Sequence, residues 1–558
     1  MARRSRSEDA RKSRSSPSKV ARKKKINVDG DEASGRNCLL EIFLESVRHI
    51  LDSRESLTAR KVTALMNAAR SADDDAIIKL FLEALDLSFA DGDGNTALHL
   101  AAKNGHQSTC RILIVLASPL RLWEIENDAG LIAEEVATND KIVQDLRYLR
   151  EGEKRREVEY TRWNDELIAN TTEWKPNGKV LLALDGGGVK SLVLTQILLY
   201  LEDELNGNFL PRIDWIAGTS SGGVTALMLC HGESLIDARR FFIKNRFRVF
   251  CGNKAKVPKH DSRGIEDTAK KLFGTGHMGS FSKDKPKVMV TVSDTRRSPA
   301  NLVLFRSFSP QIPKSLRKQL DYLDPEKILI WKAARCTSAA PYYFDSYNGL
   351  SDGGLVANNP TQALIADFLQ TTRLEKEYSS SERNGPDPCM ACVISIGTGS
   401  CPAEDTEGID MNFNFFATNK KSPIQLARGF FSVVRNAKNM LQILVRECTS
   451  SSGQPVRYSR EWCHSLNVPF FRFSPMMRTA VQLDNTERDV IMQMLWETEC
   501  YIRGEGKYEL QQLARFLEMK PLSGKNEWER SHGLDERADM ELATAAGADL
   551  IDRLGLDN

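Results

Sequence analysis

Residues 213–229 read IDWIAGTSSGGVTALML. An apolar run leads into Gly218-Thr219-Ser220-Ser221-Gly222, and small apolar residues follow at helical spacing. A strand, a G-x-S-x-G turn and a helix together lift a serine hydroxyl above the end of a sheet, because the glycines let strand and helix approach. Position assigns Ser220 as the nucleophile, with Ser221, the first helical residue, as its neighbour and fallback. A second glycine cluster, Gly186, Gly187 and Gly188, lies in VLLALDGGGVKSLVLTQIL, where an apolar run gives way to a helix pattern. Bare backbone N–H groups at such a junction converge on negative charge, helped by the helix N-terminus. Donors of this kind suit the oxyanion of acyl transfer, so the chemistry indicated is hydrolysis through an acyl-enzyme. A phosphate loop would need G-x-x-x-x-G-K-[ST], and Val189 separates Gly188 from Lys190. The dinucleotide-like spacing of Gly274, Gly276 and Gly279 follows a helix pattern rather than a strand, and reads as a helix stop and loop.

An attacking serine needs a base. Asp352 lies in NGLSDGGLVANNP, where Asn348-Gly349 predicts a tight hairpin and Gly353-Gly354 free the backbone beside the carboxylate. After Asp352 the histidines are His464, in REWCHSL, and His532. The residues leave two arrangements open: a triad completed by His464, or an aspartate that takes the serine proton directly. Partial burial would raise the aspartate's pKa and its basicity.

The elements that position these groups show as periodicity. Short apolar runs at residues 180–184, 213–217, 287–292 and 393–396 alternate with helix patterns, which predicts an α/β domain with a mainly parallel central sheet. Ahead of it, TALMNAARSADDDAIIKLFL from Thr63 and TALHLAAKNGHQSTCRILIVL from Thr96 repeat at a period of 33, and a degraded third copy starts at Ala129. The pattern T-x-L-H-x-A-A-x-x-G-H resembles the ankyrin repeat, in which Thr96 and His99 fix the turn at a helix start and Ala101 and Ala102 let helices pack closely. His99 therefore reads as structural, and the repeats as a protein-binding or docking module. The charged, helix-prone stretch over residues 150–175 reads as a connector, and residues 461–518 as mostly helical.

Composition bounds the rest. The 558 residues suffice for two to four domains, and 41% hydrophobic with 27% charged content fits a soluble globular chain. The absence of a long apolar run and of an N-terminal apolar segment argues against spanning and secretion. Eleven scattered cysteines suit a reducing compartment, and the Cys389/Cys392 pair lacks a second pair to complete a zinc site. Residues 1–25 hold eleven Lys/Arg against Glu8 and Asp9, a local charge of +9 in a chain whose total is +2. This Ser-rich tail is expected to be disordered. It reads as a solvated segment, a handle for anionic lipid, or a nuclear-import signal. From Ile424 to Arg446 apolar positions and polar or basic positions fall on opposite faces, the pattern first of a core-facing helix and, as the alternative, of a membrane-surface or calmodulin-type helix.

D-G-G-G-x-K at 185–190, G-T-S-S-G-G at 218–223 and D-G-G at 352–354 resemble the patatin-like acyl hydrolases. The likeness continues through PKVMVTVSDTRRSPANLVLFRSF, WKAARCTSAAPYYF, DGGLVANNPT, VISIGTG and LWETECYI. With ankyrin repeats ahead of these motifs, the chain resembles the group VI type of calcium-independent phospholipase A2 over roughly residues 60–518. Ser191 and Ser221 depart from the glycine and threonine usual in that family, and the ankyrin block is shorter. The resemblance implies a Ser220–Asp352 dyad without histidine, an oxyanion hole from Gly186, Gly187 and Gly188, and Lys190, Ser221 and Gly353 beside the substrate site. It implies fatty-acyl esters of glycerophospholipids as substrates, with no cofactor and no metal, and a lysophospholipase or general lipase as neighbouring activities. A catalytically weak ankyrin–patatin adaptor is the rival class. Calmodulin at residues 424–446, self-association and a phospholipid membrane surface are the partners it implies. No nucleic-acid partner is expected, and the location expected is cytoplasmic and peripheral on membranes, with a nuclear alternative from the basic N-terminus. The expected organisation is a tail over 1–36, an ankyrin module over 37–149, a connector over 150–175, a patatin-like domain over 176–520 and a second tail over 521–558.

Overall fold

The computed structural model describes residues 56–152, 159–252, 258–378, 387–401 and 453–522. The N-terminal basic tail, the stretch 424–446, His532 and most of the C-terminal tail lie outside these. The chain divides into a unit ending at Lys61, of which only helical residues 56–61 are described, and a compact unit that starts at Val62.

Strands β1 (Gly178–Leu184), β2 (Trp215–Thr219), β3 (Lys287–Asp294), β4 (Asn301–Arg306), β5 (Leu350–Asp352), β6 (Cys389–Ile396) and β7 (Phe470–Phe473) form one sheet. Its order is β4-β3-β2-β1-β6-β7, with β5 also paired to β3. Neighbours from β3 to β7 run parallel, and β4 and β5 join β3 antiparallel. The predicted, mainly parallel sheet is thus present. The period of two sorts side chains between its faces. Leu182, Leu184, Ile216 and Val290 pack with helices Ser191–Glu204 and Ser220–His231 on one face. Leu181, Ala183, Trp215 and Val393 pack under helices Thr361–Tyr378 and Gln454–Ser465 on the other. Both layers being covered explains the unbroken apolar reading of β1.

The 33-residue repeats form helix pairs. Thr96 and His99 make a capping box at the start of helix Ala97–Lys103, and the other ring nitrogen of His99 meets the Leu131 carbonyl of the next repeat at 3.0 Å. Gly94 and Gly130 both adopt positive φ, 74° and 72°, inside equivalent small hairpins bridged at Ala90–Thr96 and Glu126–Ile132. His99 therefore has the structural role expected of it. Its burial, which lowers its pKa, fits the same role.

The module does not hang free. One hydrophobic cluster runs from Leu98 and Leu113 through Trp123 to Leu198 and Leu495. At its centre the buried Arg239 guanidinium donates to the carbonyls of Val115 (2.8 Å) and Ser118 (2.9 Å), capping the C-terminus of ankyrin helix Gln107–Ala117. Its other arm reaches Gln196 Oε1 at 3.2 Å, on the helix that leaves the glycine loop. Gln196 bonds Glu499, which in turn holds Arg503 at 2.9 Å.

Two features go beyond the expectation. Strand β7 stands inside the region expected to be mostly helical. Within the expected connector, helix Glu159–Ala169 packs on the sheet edge, where Asn164 makes a reciprocal pair of hydrogen bonds with the backbone of Phe470 (2.7 and 3.0 Å). An edge strand's unpaired backbone groups need such cover.

Candidate active site

The carboxyl ends of β1, β2 and β6 converge, and β5 brings its last residue to the same place. Ser220 follows β2 with φ 53°, a left-handed conformation costly to a residue with a Cβ and typical of a strained functional turn. Close crossing makes that turn possible: a Cβ at Gly218 would come within 2.5 Å of Gly222 O and of Gly223 Cα. Three buried threonines clamp it. The Ser220 amide donates to Thr337 Oγ1 (2.9 Å), Thr337 donates to Thr291 O (2.7 Å), and Thr219 bonds both Thr291 Oγ1 and Ala357 O at 2.7 Å. Neither Thr291 nor Thr337 was singled out from sequence, since threonine within an apolar run carries no local signal.

Asn348 and Gly349 both take positive φ, 53° and 75°, in the tight turn that the Asn-Gly pair predicted. The hairpin sets β5 against β3 with Asp352 opposite Val292. Asp352 is 4% exposed, and the Gly354 amide donates to its Oδ1 at 2.7 Å. Burial pushes its pKa up to about 7, against the opposing pull of hydrogen bonds from the Ser220 side chain and the Gly354 amide. The hydroxyl and the carboxylate are therefore partners.

The glycine loop lies alongside. A Cβ at Gly186 would approach Ser220 Cβ at 3.1 Å. Gly188 has φ 60° and opens a short 3-10 turn, Gly188–Lys190, that runs into helix Ser191–Glu204. The three expected donors are not equivalent. The Gly186 amide is engaged by the Asn358 carbonyl (3.2 Å), whereas the Gly187 amide donates to the Ser221 hydroxyl (3.2 Å), a partner able to rotate away. Gly188 lines the same cavity as Ser220 and Ser221, which leaves Gly187 and Gly188 as the candidate donor pair. The loop is anchored by Asp185, whose buried carboxylate accepts two hydrogen bonds from Arg472 of β7 (2.6 and 3.2 Å). Lys190 lies beside Asp185 and Cys401, and loss of water lowers its pKa. A Cβ at Gly353 would overlap Thr291, so this glycine holds β5 close to β3 rather than touching the cavity.

An apolar cavity of about 90 Å³ opens at Ser220, Ser221 and Gly188 and is walled by Phe241, Phe242, Val249, Phe250, Phe273 and Phe344. His464 is elsewhere, its ring tilted against Trp163 at 5.1 Å on helix Gln454–Ser465. Among the described residues no histidine bonds Ser220 or Asp352, and no group of three or more His, Cys, Asp and Glu side chains could hold a metal ion. The Cys389 and Cys392 thiols are free. Helix Ser262–Phe273 ends in a positive-φ Gly274, so the neighbouring glycines are a helix stop, as the sequence indicated.

A serine on a strained strand-to-helix turn, a buried carboxylate and converging amides define a nucleophile elbow on an α/β sheet. Residues 182–365 match the patatin-like phospholipase family, and residues 33–119 match ankyrin repeats in three copies. The chain therefore carries a patatin domain behind ankyrin repeats. It is 32% identical over 359 residues to the 85/88 kDa calcium-independent phospholipase A2 of Mus musculus, covering 63% of this chain and 42% of that one. It is 28% identical over 379 residues to an intracellular phospholipase A2 of Caenorhabditis elegans, covering 67% and 33%. Calcium-independent phospholipase A2-gamma of Oryctolagus cuniculus matches at 25% over 380 residues, covering 65% and 43%. The chain thus spans less than half the length of these relatives.

Proposed function

We propose that the protein is a calcium-independent phospholipase A2-type acyl hydrolase that releases fatty acids from glycerophospholipids. One observation carries the reading: Ser220, strained and partnered by the buried Asp352, lines a cavity walled mainly by apolar side chains. The names of the relatives support the substrate class. Asp352 takes the proton of Ser220 as its oxygen attacks the ester carbonyl. The tetrahedral oxyanion is met by the Gly187 and Gly188 amides, each such donor being worth about 3 kcal/mol of barrier. Asp352 returns the proton to the departing glyceryl oxygen, and the acyl-Ser220 ester remains. Water then attacks this ester with Asp352 again as base, freeing the fatty acid. The acyl chain lies in the phenylalanine-walled cavity, where apolar contacts discriminate weakly between esters, so lysophospholipids and simple lipase substrates are turned over too. The protein works from the cytoplasm, peripheral on membranes.

The test uses a fluorophosphonate probe and a radiolabelled phosphatidylcholine vesicle, both with calcium chelator present. The probe is expected on Ser220, with fatty acid released by the wild type and none by Ser220→Ala. Ser221→Ala is expected to keep labelling and turnover. A wild-type chain that takes no probe and releases no acid would make it an adaptor instead.

A further inference from the structure

A His–Asp pair lies behind the cavity wall, and neither residue was singled out from sequence. His260 and Asp484 are both buried, with Nε2 of His260 at 2.8 Å from Asp484 Oδ2, and Lys259 pairs with the same carboxylate. Nδ1 of His260 has no hydrogen-bond partner among the described residues; it faces Gly252, and a Cβ there would come within 2.7 Å of it. The ring is thus a one-sided donor to Asp484 rather than a relay to Ser220. It is wedged among Phe250, Tyr343 and Phe344, which also line the cavity. Burial alone would raise the pKa of Asp484, but the bonds from His260 and Lys259 hold it below the usual carboxylate range.

The residue before Asp484 touches the oxyanion loop. The Leu483 carbonyl accepts the Val189 amide at 2.8 Å, and a Cβ at Gly188 would overlap that carbonyl. Three residues after Leu483, Arg246 of the cavity helix holds the Thr486 carbonyl at 3.2 Å. Leu483 therefore serves as a backstop to the Gly188 turn, fixed from its C-terminal side by the contacts at Asp484 and Thr486.

We propose that His260, Asp484 and Lys259 are positioning residues that act through the Leu483 carbonyl to aim the Gly187–Gly188 amides at the oxyanion. The inference rests on the acyl-hydrolase reading. Its substrate signature is a kcat effect with little KM effect, because the amides meet the oxyanion and not the bound ester.

The test measures hydrolysis of p-nitrophenyl butyrate, the rate of fluorophosphonate labelling, and Tm, in the full chain. The variants are Asp484→Asn with Lys259→Met, which leaves no stranded ammonium, and the milder His260→Gln. Misplaced donors should lower kcat and the labelling rate together by about tenfold to a hundredfold, with KM within about threefold. Combining His260→Gln with the double change should add nothing further, since all three act through one contact. Unchanged kcat and labelling beside a lowered Tm would overturn the proposal and leave a purely structural ion pair, as would effects that multiply. A wild type that neither hydrolyses nor labels would defeat the hydrolase reading itself, and the positioning role with it.

Discussion

On the proposed mechanism, acidifying the medium should stop ester hydrolysis about three pH units earlier than an ordinary aspartate would. Asp352 has its pKa raised from 3.8 to about 7 by burial. As a base it works only when ionised, so at pH 6 about one molecule in eleven is competent, and at pH 8 about ten in eleven. kcat/KM for a soluble ester should therefore fall about tenfold between pH 8 and 6 and about tenfold again by pH 5. The same shift links to stability. A carboxyl whose folded pKa exceeds its unfolded one favours the folded state below the unfolded value, and that contribution is lost as pH rises through about 7. Holding the charge buried at pH 8 then costs roughly 4 kcal/mol, the raised pKa taken at about 1.4 kcal/mol per unit. Asp352→Asn should be inactive, yet gain in Tm over the wild type as pH rises from 5 to 8. A pH–rate profile on the wild type and thermal melts of both proteins check this. A flat rate from pH 5 to 8 in folded protein, or a Tm gap that does not widen, would refute the reasoning.

Gly222→Ala should destabilise by about 3 kcal/mol or prevent folding, because the new Cβ would overlap the Leu184 and Asp185 carbonyls; expression yield and Tm report it. His464→Ala should leave kcat within about twofold and cost about 1 kcal/mol of stability for the lost contact with Trp163, so a collapse in rate with intact folding would revive the triad. Arg239→Met should cost about 3 kcal/mol, since the carbonyls that end the ankyrin helix lose their donor in a dry core; a lowered Tm and faster proteolysis of the repeats would show it.

Legibility in the sequence followed the range of each interaction. The elbow, the glycine turn and the Asn-Gly hairpin are made by neighbours in the chain, and each shows as a short pattern. The four predicted apolar runs correspond to β1, β2, β3 and β6, with β2 displaced towards its serine. What escaped depends on partners far apart. Arg472 and Asp185 are 287 positions distant, and an arginine between phenylalanines carries no hint of the loop it steadies. His260 precedes Asp352, so a search ordered as serine, acid, histidine passes over it. The Gly186 amide looked as available as its neighbours because nothing local marks Asn358 as its acceptor. Charged residues before Gly178 suggested a connector, yet a single buried asparagine, Asn164, seats that helix on the last strand.

Arg239 gives the ankyrin block a place in the interior of the molecule. Cutting the chain near residue 176 to isolate the patatin half would bare the Arg503 guanidinium that now lies against the Trp123 ring, uncover Trp496 where Arg111 now stacks on it, and take from the buried Arg239 the ankyrin carbonyls it meets. A truncated version should precipitate or melt early, so that assays of the isolated half would measure damage rather than an unregulated enzyme. Any ligand that loosened the repeats would reach the helix behind the glycine turn through Gln196.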